Sequence, residues 1–195
     1  MELPAFVGLY SNKGFEGISR SWHAYEREHV LPAAPEAVLP DCPNFVTKRA
    51  VPLRYRFHVA MSGALGIGGD LSHWTPQEQE EARYFIALYK RVRSTIQNGL
   101  LYRLRSPRTG GIAASQYVAQ DGSEVVVFAW GHSQQFGEGQ VSLRLHGLEE
   151  EAHYADDKNG ATYSGAYLAQ QGLPVKLVGD YASHMVHLFR ATSTR

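Results

Sequence analysis

A helix written at both of its ends constrains the fold of this chain more than any other stretch. Thr75 stands before Pro76, and Glu78 follows the threonine by three residues. A threonine hydroxyl can accept the amide at the third helical position, and a glutamate there can reach back to the cap's own amide. Proline at the first position has no amide to leave unpaired. Beyond it Phe85, Leu88, Val92 and Ile96 recur at helical spacing, with Ala82 and Tyr89 widening the apolar stripe, until Asn98 and Gly99 supply a stop. The spacing predicts one amphipathic helix of about six turns lying on a core.

The segment before it is a different kind of signal. Residues 62–71, SGALGIGGDL, are small, apolar and glycine-rich, which predicts a short buried strand closely approached by its neighbours. The order Gly63, Gly66, Gly68, Gly69 does not fit G-x-G-x-x-G and lacks the Gly-Lys-Ser/Thr of a phosphate loop, so no nucleotide cradle is expected. Further upstream, Leu53, Tyr55, Phe57 and Val59 alternate with Arg54, Arg56 and His58 as a strand would. Leu53, Phe57, Ala60 and Met61 fit a helix that starts at Pro52 equally well, and periodicity leaves both readings open.

From residue 99 onward the pattern is one of strands separated by turn residues. Candidates lie at 100–104, 112–119, 124–130, 140–145 and 184–191, with Asp121-Gly122 as the hairpin turn between the second and third. Val125, Val127 and Ala129 can line one face of a sheet while Val126, Phe128 and Trp130 line the other. Val141, Leu143 and Leu145 alternate with Ser142, Arg144 and His146, as in a strand with one wet face. Short strands at this spacing predict an antiparallel β-sandwich.

Four groups of residues carry a resemblance. The phrase RYRFHVAMSGALGIGGDL (54–71), the capped helix, then Ile96 to Gly99, Tyr102-Arg103-Leu104 and Ser106-Pro107, resembles the end of the catalytic domain in bacterial alpha-galactosidases of glycoside hydrolase family 36. Tyr163-Ser164-Gly165 and Gly172-Leu173-Pro174 continue it downstream. In that family the first part is the last helix and strand of a (β/α)8 barrel, and a C-terminal antiparallel β-sandwich follows. The phrase FEGISRSWHAYEREHVLP (15–32), with Ser19 as a helix cap and Pro32 as its end, is similar to the family's linker helix before the barrel. Asp41-Cys42-Pro43-Asn44-Phe45 resembles the stretch shortly after the family's acid/base residue.

The resemblance implies an α+β chain. Residues 1–99 would hold a barrel-entrance helix, a linker and the barrel's last strand and helix, and residues 100–195 a C-terminal β-sandwich domain. A full barrel takes about 250 residues, more than the stretch before the sandwich supplies. It further implies a family reaction, retaining hydrolysis of terminal α-galactosyl groups from oligosaccharides, with no metal and no cofactor. Such chemistry needs two carboxylates, which the family carries in a Lys-Trp-Asp phrase and a Ser-Asp-Asn/Asp-Thr-Asp phrase. Neither phrase occurs here, so no catalytic residue is assigned, substrate-binding residues stay unknown, and whether the chain is an enzyme is left open. The expected ligand is an α-galactoside carbohydrate, bound weakly or not at all by this chain alone. A surface that once faced a barrel could instead join copies into a homo-oligomer, and a noncatalytic module for oligomerisation or carbohydrate binding is the alternative.

Other acids have plainer roles. Asp70 is expected to accept backbone hydrogen bonds in the turn before the helix. Asp156 and Asp157, followed by Asn159-Gly160, read as a solvated turn, and Asp41 as a loop acid. Among nine histidines the pair His184 and His187 sits three apart in a strand, where side chains face opposite sides, so no metal site is expected. Ser164 reads as an ordinary turn residue. Of the tryptophans, Trp130 is expected in the core, Trp74 beside the helix cap as a staple, and Trp22 against a new partner or solvent.

Composition closes off other classes. Nineteen Lys and Arg balance nineteen Asp and Glu, so neither nucleic acid nor an anionic membrane is an expected partner. Cys42 is the single cysteine and can form no intrachain disulfide. No basic segment followed by an apolar run opens the sequence, and a cytoplasmic location is the expectation.

Overall fold

The computed structural model describes residues 30–31, 36–39, 42–44, 48–68, 70–109, 111–134 and 140–191. The elements begin with strands β1 (Val30–Leu31) and β2 (Glu36–Leu39), helix α1 (Leu53–Met61) and strand β3 (Ala64–Ile67). A single 3-10 turn, Leu71–His73, leads into helix α2 (Pro76–Asn98). Strands β4 (Leu100–Arg105), β5 (Ile112–Val118), β6 (Glu124–Gly131), β7 (Gln140–Leu143), β8 (His153–Asp156) and β9 (Thr162–Ser164) follow. Helix α3 (Gly165–Gln170), β10 (Leu173–Lys176) and β11 (Ala182–Arg190) complete the order.

The two readings of residues 53–61 resolve as a helix. Pro52 caps it, and Tyr55 through Met61 are all buried, including Arg56 and His58. Burial runs through seven consecutive residues, nearly two full turns, while Arg54, Arg56 and His58 interrupt the apolar ones, so the sequence shows no clean helical period. Helix α2 ends where its caps predicted, with Thr75 and Glu78 forming the full capping box.

Seven strands form the main sheet in the order β1-β4-β5-β6-β11-β8-β9, antiparallel throughout. Both of its faces are covered. On one face Phe57, Val59 and Met61 of α1 and Phe85, Val92 and Ile96 of α2 pack with Tyr117, Val126, Phe128 and Trp130. Phe57 and Phe85 stack at 5.0 Å, and the Tyr117 hydroxyl donates to the Ser62 carbonyl at 2.5 Å. On the other face Val125, Val127, Ala129, Val186 and Leu188 pack with the antiparallel β7–β10 pair and with Leu168 of α3. The alternation of residues 125–130 therefore faces two cores, as the sequence predicted. Each fully buried Phe or Leu in them contributes about 2 kcal/mol.

A second, smaller sheet is parallel: β2 pairs with β3 in the register Glu36↔Ala64 to Leu39↔Ile67. The connection between the two strands carries α1, the β-α-β arrangement that parallel strands require. Strand β3 is less buried than its composition suggested, with Ala64 to Gly66 half-buried and Ile67 exposed. Among the described residues it has one strand neighbour, so one long edge meets no strand. A mostly antiparallel sheet with a few helices, an α+β architecture, is what the sequence called for, but three short strands rather than one precede β4, because β1 and β2 are too short to show a period.

Further corrections concern short elements. Asp156 is buried at the end of β8 rather than solvated, and its carboxylate accepts the Lys158 amide. Ser164 caps α3, its hydroxyl accepting the Tyr167 amide, and is not an ordinary turn residue. None of the described helices is long and apolar enough to cross a membrane.

Candidate functional site

In sheets with parallel strands, ligands meet the chain beyond the carboxyl ends of those strands. Here that place follows Leu39 of β2 and Ile67 of β3. The Gly68 amide donates to the Leu39 carbonyl at 2.9 Å, carrying the pairing one step past the strand. Asp70 then turns the chain: its Oδ1 accepts the Ser72 amide at 2.9 Å and the Ser72 hydroxyl at 2.7 Å. The Trp74 carbonyl accepts the Gln79 side-chain amide at 3.1 Å, and Trp74 itself leans on the core. Asp70, Trp74, Thr75 and Glu78 thus lie within one short turn between strand and helix.

Hydrogen bonds in this turn favour the ionised form of its own acids. Hydrogen bonds from the Ser72 hydroxyl and amide hold the Asp70 carboxyl below its ordinary range, and His73 adds to them. The Thr75 amide and hydroxyl do the same to Glu78. Both acids are exposed or half-exposed and ionised at neutral pH. Their lone pairs serve the local turn, as expected of Asp70 from the sequence.

Behind the turn, Tyr89 of α2 fastens strand to helix. Its hydroxyl accepts the Leu65 amide at 3.1 Å and donates to the Gly63 carbonyl at 2.9 Å. A side chain here covers part of the strand edge that lacks a strand. Nothing in the periodicity of α2 marked Tyr89 for more than packing.

Two histidine clusters lie deeper. His58 is fully enclosed and shares a hydrogen bond with Ser183 at 2.9 Å. Burial, seconded by Arg54, His184 and Lys158, pushes its pKa down to about 3. It is a neutral core residue. His187 lies between two carboxylates, with Nε2 at 2.5 Å from Glu124 and Nδ1 at 3.8 Å from Asp157. Thr95 of α2 donates to the other Glu124 oxygen, and Arg91 pairs with Asp157 at 2.7 Å. A histidine between acids has the components of a proton relay, yet this one is 5% exposed and sealed under α2. Its geometry joins helix to sheet. His184 and His187 do face opposite sides, and among the described residues no three His, Cys, Asp or Glu side chains converge as a metal site.

Trp130 lies in the core, stacked on Phe128 at 5.5 Å. Asp41, Trp22 and the Ser19-capped helix fall outside the described residues. A third cluster, not foreseen, ties the loop after β2 to the main sheet: Arg49 donates to the Tyr181 hydroxyl at 2.6 Å and meets His132 at 3.2 Å.

Comparison with known proteins places both halves of this arrangement. The glycosyl hydrolase family 36 C-terminal domain matches residues 112–188, and the melibiase domain matches residues 32–99. Alpha-galactosidase C of Emericella nidulans is 38% identical over 186 residues, which are 95% of this chain and 24% of that protein. The GH36 alpha-galactosidase AgaA of Geobacillus stearothermophilus, solved with 1-deoxygalactonojirimycin, superposes with a TM-score of 0.76. It is 32% identical, over 80% of this chain and 22% of that one. The galactosidase domain of the alpha-galactosidase-sucrose kinase AgaSK gives a TM-score of 0.82 at 25% identity, over 92% of this chain and 25% of its own. The chain spans about a quarter of the length of these relatives.

Proposed function

Because the chain belongs to glycosyl hydrolase family 36, we propose that it is an alpha-galactosidase-like chain that does not by itself hydrolyse α-galactosides. The family reaction is retaining hydrolysis of terminal α-galactosyl groups. It requires one carboxylate to attack the anomeric carbon and a second, about 5–5.5 Å away, to deliver and recover a proton. The proton donor must have a raised pKa to be loaded at neutral pH.

The observation that carries this reading is the state of Asp70. It is the described acid that follows the carboxyl end of β3, and hydrogen bonds hold its pKa down rather than up. That is the wrong direction for a general acid, and as an ionised carboxylate, its Oδ1 engaged by Ser72, it could fill at most one of the two roles the reaction needs. The division into residues 1–99 and 100–195, a sandwich architecture for the second, and a cytoplasmic setting for the free, exposed Cys42 belong to the same reading.

The test is hydrolysis of a chromogenic aryl α-galactoside by the purified chain, with an Asp41→Asn, Asp70→Asn double variant alongside. The expected result is no turnover from a folded sample of either protein. Turnover that disappears in the double variant would overturn the reading. The alternative, a noncatalytic module that self-associates or binds carbohydrate, draws support from Ile67 and Leu71, both exposed at or just after β3, which has one strand neighbour among the described residues. Sedimentation at increasing concentration separates the two: self-association that Leu71→Ser abolishes favours the module.

A further inference from the structure

At one end of the main sheet a surface groove of about 710 Å³ opens where β6 begins, β11 ends, and the segment before β8 crosses between them. That volume lies within the range of small-molecule sites, roughly 300–1,000 Å³. Its polar wall consists of Ser123, Glu149, Glu151, His153, Thr162 and Arg190. These residues come from four separate segments, and main-chain hydrogen bonds fix the segments to one another. The Arg190 amide donates to the Ser123 carbonyl at 2.8 Å, and the Ala191 amide to the His153 carbonyl at 2.7 Å. The Ala152 amide donates to the Glu149 carbonyl at 3.2 Å, and the Gly165 amide to the Ala152 carbonyl at 2.8 Å. The Glu149 amide donates in turn to the buried Tyr154 hydroxyl at 3.2 Å. A Cβ at Gly165 would collide with the Glu149 backbone, so the glycine is what allows this close approach. The groove is built before any ligand arrives, which reduces the ordering cost of binding.

Its chemistry selects a ligand class. Arg190 forms an ion pair with Glu149, so the main cation of the groove is already balanced and no excess positive charge awaits a phosphate. What remains on offer is an alternation of acceptors and donors. Carboxylate oxygens accept from hydroxyl groups, guanidinium N–H groups donate to them, and the Ser123 and Thr162 hydroxyls, which donate to the Asp121 carboxylate at 2.6 Å and the Gly160 carbonyl at 3.5 Å, keep lone pairs that accept. A ligand with adjacent hydroxyls, each able to donate and accept, satisfies such a wall; a purely anionic or purely apolar one does not.

We infer that this groove is a noncatalytic binding site for a neutral saccharide, held by Arg190, Glu149, Thr162 and their neighbours at the β6–β11–β8 end of the sheet. The choice of a galactoside as probe rests on the family 36 reading; the site itself rests on the groove. Binding here would anchor a saccharide to the sheet layer, away from the carboxyl ends of the parallel strands.

The test is titration of the full ¹⁵N-labelled chain with raffinose, followed by amide shifts. Saturable shifts at Ser123, His153, Thr162 and Arg190 are expected. They should weaken about tenfold in a Glu149→Gln, Arg190→Met variant whose remaining spectrum is unchanged. Thr162→Val, an exposed position, should weaken them with less risk to folding. Absence of saturable shifts in the folded chain would overturn the proposal, as would shifts confined to residues 66–74. Turnover of an aryl α-galactoside would contradict the preceding subsection without altering this titration, so the two failures are distinguishable.

Discussion

The seven-stranded sheet and the parallel pair of this protein obey different rules, although one chain of hydrogen bonds and side chains connects them. In the seven-stranded sheet, β6 has a strand on each side and a core against each face, and Val125 through Trp130 are all at most 3% exposed. In the parallel pair, β3 has one described strand neighbour, and Ile67 is 36% exposed at its end. Parallel strands in globular proteins are normally covered on both faces and paired on both edges. The antiparallel sheet is thus a finished core, while the parallel pair relies on α1, α2 and the Tyr89 hydroxyl for what further strands would provide. The contrast bears on function, because the unfinished region is also where parallel strands present their ligands.

Substitution should expose the contrast as a graded series. Phe128→Ala removes a ring stacked on Trp130 within the helix-facing core and should cost about 3–5 kcal/mol, read from urea unfolding. A smaller effect tests the junction between the regions through pH. His58 is neutral in the fold, with a pKa of about 3 against an ordinary 6.5, so the unfolded chain binds a proton that the folded chain refuses. Its contribution is complete above pH 6.5 and is lost as pH falls towards 3. Stability should drop by roughly 2 kcal/mol between pH 6.5 and 5 from this residue alone. His58→Gln should remove that part of the slope, and an unchanged profile would sink the assignment. Thr75→Ala breaks the capping box and should cost about 1 kcal/mol. Ile67→Ala, at the exposed end of β3, should change stability by about 0.5 kcal/mol or less. If Ile67→Ala proved as costly as Phe128→Ala, the parallel pair would be as well packed as the sheet.

What the sequence revealed follows from how locally each feature is encoded. The capping box of α2, the Asx turn at Asp70, the Asp121-Gly122 hairpin and the double-faced strand at residues 124–131 all lie within a few residues of their partners. Each was legible for that reason. Strand β3 was placed correctly, but its burial depends on neighbours that composition does not display. The short strands β1, β8, β9 and β10 have two to four residues each, too few for a period of two to stand out. Asp156 looked like a turn acid because its sequence neighbours are polar; its burial comes from β11, which pairs Leu188 with it from thirty-two positions away. The groove at the far end of the sheet left no sequence signal, since its wall joins residues 123, 149, 153, 162 and 190.

Hydrogen exchange resolved to single amides tests the division between finished and unfinished regions most directly. The account predicts that the amides of Val125 to Ala129 exchange only through global unfolding. The Gly68 amide, which donates to the Leu39 carbonyl across the pair, should exchange at least about a hundredfold faster through local opening of the parallel pair, with Leu65 intermediate because Tyr89 accepts its proton. Equal protection at Gly68 and Val127 would contradict it, and would mean that the parallel strands are as complete within this chain as the antiparallel sheet.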